Sequence, residues 1–453
     1  MSRELVERVV KALEGKVYYG DVRFESARGM GYSKTKTKEA VSFASSVGLT
    51  VRISSANKWY YLAFDELDEG RILDETKRLV TKVGNKRSDI VLQEPWKIDR
   101  EIKVMEDPND LSDEEKIGVV RDIYGRIIGN DKIINAAVSL GHSKGETILM
   151  NTEGSNLRQV LPFYRFILNA TAKEGKRIES DYFAVAKQGG HEILEKSDVH
   201  VKVGEVVKSA KDMLKAKMLK GGKHDIIVDD EISGVIAHES FGHGLEADQV
   251  TRGRSYLSSL VGKKVVSELV SVHDNSSYEG ERGFFFFDDE GIKSKDNVLV
   301  KNGILKQFMN DRTTGFHLKS PPTGNARAQD FSRKVFIRMS NTYIEPGEWK
   351  RDELLAETKK GVYIEKALTG MEDPLGGNLQ IMTGKAYEIN NGELTTLYKG
   401  VGIAGKVLEF LSNVDAVTDD FELRGSGCGK GHEDYVPVSS GGPFMRIRGA
   451  VIG

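Results

Sequence analysis

At 453 residues, 39% apolar and 30% charged, the chain is long enough for about two domains with substantial cores. A net charge of −2 and a pI near 6.6 remove the electrostatic case for direct contact with nucleic acid or an anionic membrane. One cysteine excludes a disulfide-stapled scaffold, and a mean hydropathy of −0.38 fits a soluble globular protein.

The opening MSRELVERVVKALEGK distributes its charges throughout and has no apolar core of signal-peptide length, so it predicts an amphipathic helix. No apolar run approaches the ~20 residues needed to span a bilayer, and cytoplasmic placement is expected. Alternation predicts strands over Val17–Ala27, Val41–Ile53 and Lys58–Phe64, followed by a helix over Arg71–Val83. Residues 84–110, with Pro95 and Pro108, read as a connecting stretch. Ser112 followed by Glu115 fits a capping box, opening a helix through Ile128. From Ile133 to about Glu195 strands dominate, with turns at His142–Gly145 and Glu153–Ser155 and a long hairpin around ATAKEGKRIESDYFAVAKQGG. A helix over Val203–Lys220, closed by Gly221 and Gly222, ends an N-terminal α+β domain, 1–220.

The C-terminal half, 221–453, should be β-rich and carry one functional helix, making the chain α+β overall. His224–Val228 reads as a strand. Asp229 or Asp230 can cap a helix whose Ile232, Val235 and Ile236 bury one face. That stripe would hold the next residues rigidly, and these are HESFGHGLEAD, His238 to Asp248. Histidines ligate zinc, and a glutamate beside the first ligand is where a metallopeptidase keeps its general base. The usual spacing is four, whereas here it is five. Five residues advance about 500° on an ideal helix, leaving the histidines roughly 140° apart. Two distortions would reunite them: a π-type widening, or a helix end before His243. Gly242 and Gly244 would ease both. A plain helix end with hydrogen-bonded histidines is the alternative. His191–Glu192 and His432–Glu433 lack a second histidine at ligand spacing.

Cys428 lies in RGSGCGKG, where a glycine-rich backbone can approach another group and Arg424 and Lys430 could favour the thiolate. Two histidines and a thiolate would leave zinc's fourth position open, the arrangement of a catalytic site. A buried inert thiol is the competing reading, and His432 is the reserve candidate ligand. Glu246 and Asp248 are candidates to orient a ligating imidazole. The run Phe284–Phe287 reads as core strand, and Asp288–Glu290 as a solvated turn in preference to a second metal site.

These residues resemble the TldD branch of the TldD/PmbA (TldE) metallopeptidase family. The resemblance rests on His238, Glu239, His243 and Gly427-Cys428-Gly429-Lys430. FDDEG (Phe287 to Gly291), VKNGILKQFMNDR, TGNARAQD, RMSNTYIEPG, GKAYEINNG and GVGIAGKVLEFL add to it. It is strong over about 220–453 and looser before. The PmbA/TldE branch lacks the ligand motif, so its retention points to the catalytic partner. The resemblance implies a zinc endopeptidase acting on unfolded or extended peptides, leader-type peptides included. It would hold one Zn2+ per chain on His238, His243 and Cys428, with Glu239 as catalytic base. It also implies a heterodimer with a PmbA/TldE-type paralogue, with a homodimer as the alternative. Two other classes stand beside it: a regulatory binding protein of the gyrase-modulator type, and a zinc hydrolase of a non-peptide amide.

Overall fold

The structure is a computed structural model describing residues 2–430 and 435–453. Its first half is one long, twisted sheet. In chain order come α1 (Ser2–Leu13), β1 (Tyr19–Thr35), β2 (Glu39–Ser55), β3 (Lys58–Phe64) and α2 (Glu69–Val83). Then follow β4 (Lys97–Glu101), α3 (Asp113–Ile128), β5 (Ile133–Asn151), β6 (Asn156–Glu174), β7 (Arg177–Lys187), the short α4 (Glu192–Lys196) and α5 (Val199–Met213). The strands run in the order β3-β2-β1-β5-β6-β4, with β7 also on β6. Ser112 and Glu115 form the expected capping box at α3.

Even-numbered residues of β1 and β5 face the helices, because side chains alternate along a strand. Val22, Phe24, Ile148 and Met150 meet α1 and α2 at one end of the sheet. Tyr32, Ala136, Val138 and Leu140 meet α3 and α5 at the other. The opposite face carries Asp21 and Arg23 of β1 and Arg52 of β2, all buried against the C-terminal half. Arg52 makes a bidentate pair with Asp21 at 2.9 and 2.6 Å, and Arg312 of the C-terminal half does the same with Glu153 at 2.8 Å. The charges of this polar sheet face are thus met partly within the sheet and partly by the other half of the molecule.

The C-terminal half is β-rich, as expected, and the whole chain is α+β. Strands β8 (Lys217–Met218) and β9 (Gly222–Val228) belong to an eight-stranded sheet, which the pairing of Lys360–Asp373 with Asn378–Asn390 closes on itself. A six-stranded sheet ends in the edge strand Glu422–Cys428. Between them lies α6 (Asp230–Ala237), whose Ile232, Ile236 and Ala237 join the main core.

Several sequence expectations are corrected. The predicted turn at His142–Gly145 is continuous β5, in register with β1 and β6. Residues 84–110 are not only a connection, since β4 pairs in parallel with β6. The helix expected to reach Lys220 stops at Met213, because Lys217–Met218 pairs as a strand with Tyr398–Lys399. The expected stripe forms, with Ile232 and Ile236 fully buried and Val235 half-buried but packed against the same core. Phe284, Phe285 and Phe287 are buried, but as extended chain outside any strand.

Asp288–Glu290 is no solvated turn. Asp288 accepts from the backbone N–H groups of Glu290, Ile292 and Ala326, each at 2.9 Å. Asp289 lies 2.9 Å from Arg23, and Glu290 accepts from the Arg312 N–H at 2.9 Å. Asp289 and Glu290 tie the halves together through Arg23 and Arg52, while Asp288 pins the turn itself.

Candidate metal centre

Asp229 caps α6, one oxygen accepting from the Ile232 N–H and the other from the Lys366 N–H, both at 2.9 Å. Past Ala237 the helix widens. His238–Gly242 forms a π turn in which the His243 N–H reaches the His238 carbonyl, and His243–Leu245 tightens to a 3-10 turn. Of the two distortions open to the five-residue spacing the π widening occurs, and the helix runs on through His243 as a 3-10 turn instead of ending before it. The two imidazole rings meet at right angles with centroids 5.2 Å apart. The flanking glycines serve close packing more than backbone freedom. Gly242 has an ordinary helical φ of −61°, and a Cβ there would stand 3.0 Å from Met339 Sδ.

Cys428 arrives at the end of its edge strand, with Sγ 3.4 Å from His243 Nε2 and 185 residues away in sequence. His238, His243 and Cys428 place their donor atoms within 4.8 Å of one another. The fit to zinc follows from geometry. Bonds of about 2.0 and 2.3 Å at a tetrahedral angle put nitrogen and sulfur about 3.5 Å apart. The chemistry of the donors also fits. Burial alone would raise the Cys428 thiol, but the charges and hydrogen bonds of His238 and His243 bring it down to about 5. Burial likewise opposes a charged His243, yet the hydrogen bond with Cys428 and the nearby carboxylate of Glu246 raise it well above its ordinary value. Nδ1 of His238 is buried without a hydrogen bond.

The surrounding shell is ionic. Glu246 Oε2 lies 3.6 Å from His243 Nδ1 and 3.0 Å from Lys430 Nζ. Lys430 also bonds Asp248 at 2.8 Å, so the cysteine loop is tied to the histidine loop by one ammonium. Despite its burial, Glu246 is held down to about 2, chiefly by Lys430 and His243. Of the two acids expected near a ligating imidazole, Glu246 is the one beside His243. Asp248 engages Lys430, and no bond from it to a histidine is present among the described residues. Arg424 turns to Asp230 at 2.7 Å, so the thiolate is favoured by imidazoles and not by that guanidinium.

Glu239 is half-buried against Lys360–Asp373, where a Cβ on Gly370 would stand 3.0 Å from Glu239 Cγ. Two residues further along the same strand face, Glu372 has both oxygens buried without a hydrogen bond of good geometry. Burial pushes its carboxyl up to about 9, with Glu239 adding and His243 opposing. The reserve ligand His432 and its neighbour Glu433 lie outside the described residues. His191 bonds the Tyr164 hydroxyl at 2.8 Å, remote from the cluster.

Sequence reasoning missed four groups. Arg338, fully buried, donates to the Cys428 carbonyl at 2.7 Å. The Tyr256 hydroxyl donates to the Ser240 carbonyl at 2.8 Å, and Ser255 Oγ to the Gly244 carbonyl at 2.6 Å. Glu372 is the fourth. A lone arginine among the apolar residues of KVFIRMSN was the one available signal.

A glutamate beside three clustered soft and nitrogen donors is the layout of a metal-dependent hydrolase. The chain belongs to the PmbA/TldD metallopeptidase family. Models of the PmbA/TldA metallopeptidase central domain and C-terminal domain match residues 106–217 and 221–453. It is 34% identical to a metalloprotease of Methanocaldococcus jannaschii, over 97% of this chain and 98% of that protein. Identity to a metalloprotease of Methanothermobacter thermautotrophicus is 32%, over 98% and 97%. A zinc metalloprotease TldD homolog of Saccharolobus solfataricus is 27% identical over 98% of both chains. Among solved structures, TldE of Thermococcus kodakarensis superposes with a TM-score of 0.77 at 18% identity, covering 100% of this chain and 99% of that one. A Thermotoga maritima protein described as a candidate modulator of a DNA gyrase gives 0.82 at 18%, covering 100% of both. No helix among the described residues is long and apolar enough to cross a membrane.

Proposed function

We propose that this chain is a TldD-type zinc endopeptidase acting on unfolded or extended peptides, in the cytoplasm. His238, His243 and Cys428 hold one zinc ion, and Glu239 is the general base. The observation that carries this reading is the meeting of three donors within 4.8 Å, across 185 residues of sequence, on the turn that bears Glu239. Zinc bound there supplies Lewis acidity, making water a nucleophile near neutral pH and polarising the scissile carbonyl. Glu239 takes the proton of the attacking water and returns it to the leaving amine nitrogen. Glu246 holds His243 by Nδ1, leaving Nε2 for the metal. Lys430 and Arg338 fix the loop that presents the thiolate. A PmbA/TldE-type paralogue is the expected partner, on the likeness to the Thermococcus TldE fold.

Zinc per chain, measured for wild type and Cys428→Ala purified identically, is the test. About one zinc in wild type and a clear loss in the variant is expected, with peptide cleavage lost in Glu239→Gln while zinc is retained. Equal zinc in both proteins, or full cleavage by Glu239→Gln, would overturn the reading.

A further inference from the structure

Beside the metal centre lies a cavity of about 810 Å³, walled by β7, α5, α6, the strand Lys360–Asp373 and the edge strand Glu422–Cys428. Its position is set by two elements that both run on into the centre. Glu231 and Val235 of α6 line it, and Glu239 follows Val235 by one helical turn, about 6 Å on the same face. Gly425 and Ser426 line it too, and Cys428 follows Ser426 by two strand residues, about 7 Å. The cavity therefore ends roughly two residues of extended peptide short of the reacting atoms.

Its charge is unbalanced. Eight carboxylates line it against five lysines and arginines. Four of those cations are already paired with carboxylates of the same wall: Lys366 with Asp181, Lys385 with Glu365 at 2.6 Å, Arg424 with Asp230 at 2.7 Å and Glu422 at 3.1 Å, Lys202 with Glu205 at 2.8 Å; the fifth, Arg351, lies over the Phe444 ring. Acceptors are left over. Asp181 is only 7% exposed, and its Oδ2 is buried with no partner, as is Oδ2 of Asp420. Glu231 has a hydroxyl from Tyr182 at 3.2 Å and a guanidinium no closer than 4.0 Å. Burial and the adjacent Asp230 push its carboxyl up, against the pull of Arg424. Unpaired acceptors in a walled cavity call for a donor that carries positive charge.

We infer that this cavity is a substrate subsite that selects a lysine or arginine side chain of the peptide, two to four residues from the scissile bond. The inference rests on the peptidase reading, since that reading supplies the peptide. It adds a specificity that the metal centre itself lacks. Glu231, Asp420 and Asp181 Oδ2 receive the cation, and the strand segments on either side hold the extended chain.

The test separates binding from cleavage. Full-length Glu239→Gln protein, loaded with zinc, is titrated into two fluorescein-labelled twelve-residue alanine-glycine peptides that differ only in carrying two lysines or two glutamates. Anisotropy at low salt is expected to show about tenfold tighter binding of the lysine peptide. Adding Glu231→Gln and Asp420→Asn should remove most of that preference. Rising salt should shrink the preference in the unmodified cavity, a readout that needs no further variant. Equal affinities for the two peptides would overturn the inference, as would a lysine preference that survives both substitutions. Lysine-selective binding by a protein whose wild type cleaves no peptide would sustain the cavity's assignment and count against the peptidase reading alone.

Discussion

The π turn and the 3-10 turn that follows it leave backbone carbonyls without helical partners, and the segment after α7 (Ala247–Thr251) supplies donors to two of them. Tyr256 donates its hydroxyl to Ser240 O at 2.8 Å and Ser255 donates Oγ to Gly244 O at 2.6 Å, so the chain is stapled once within the turn that separates the two histidines and once just past His243. Tyr256 is fixed in its turn, its N–H donating to Pro374 O at 2.9 Å and its ring lying against Gly377. Tyr256→Phe keeps the ring and removes one hydrogen bond from a buried carbonyl. The net loss is about 1 kcal/mol if water or a neighbour compensates, and up to about 3 kcal/mol if the carbonyl stays dry. Metal binding re-imposes the stapled geometry, so this cost falls on metal affinity. At 1.4 kcal/mol per decade, zinc should bind about fivefold to a hundredfold more weakly. Competition with a chromophoric chelator measures the affinity, and the denaturation midpoint of the metal-free protein measures overall stability. A zinc affinity within twofold of wild type, whatever happens to the midpoint, would refute the staple.

Gly370→Ala places a methyl 2.5 Å from Val235 Cγ1 and 3.0 Å from Glu239 Cγ. Displacing the base by part of an ångström should lower kcat for peptide cleavage by about tenfold or more with zinc content unchanged, and an unaltered kcat would show that Glu239 is not the proton carrier. Glu290, walled in between the halves, is pushed up to about 8 by burial against the pull of Arg52. Between its unfolded value near 4.3 and that folded value the native state holds the proton more firmly. Stability from this group is therefore full below about pH 4 and drains away as pH rises toward 8. Glu290→Gln should flatten that part of the Tm profile between pH 5 and 8, and an identical slope in both proteins would reject the assignment.

The reach of the sequence ends where chemistry depends on distant chain segments. His238, Glu239, His243 and Cys428 could be singled out because their types and spacing carry chemistry in themselves, and the five-residue step demanded a distorted helix before any coordinates. The capping box of Ser112 and the hairpin at Glu174–Arg177 were equally local. Asp288–Glu290 failed because three acids and a glycine look like a wet turn. Their burial depends on Arg23, Arg52 and Arg312, which come from both halves of the chain. The turn expected at His142–Gly145, ending on a glycine, instead lies in β5, where strands pack so closely that a Cβ on facing Gly29 would stand 3.0 Å from Ser143 Cβ. Glycine marks close approach as readily as it marks a bend.

Assembly of the centre is a property of the C-terminal half as a whole. The π turn contributes two donors and the base, the edge strand brings the thiolate, and Lys360–Asp373 presses on the base through a missing side chain at Gly370. Each element is held by a different partner, namely the core under α6, the Arg338 bond to the Cys428 carbonyl, and the closed sheet. Lys430 spans two of the three, binding Glu246 and Asp248 while standing two residues from Cys428, and Arg338, bonded to the Cys428 carbonyl, stands 3.9 Å from Glu246 on the same seam. A change at Lys430 should therefore uncouple the thiolate from the histidines without disturbing either element's own packing. That separates it from core substitutions, which would disturb all three elements together.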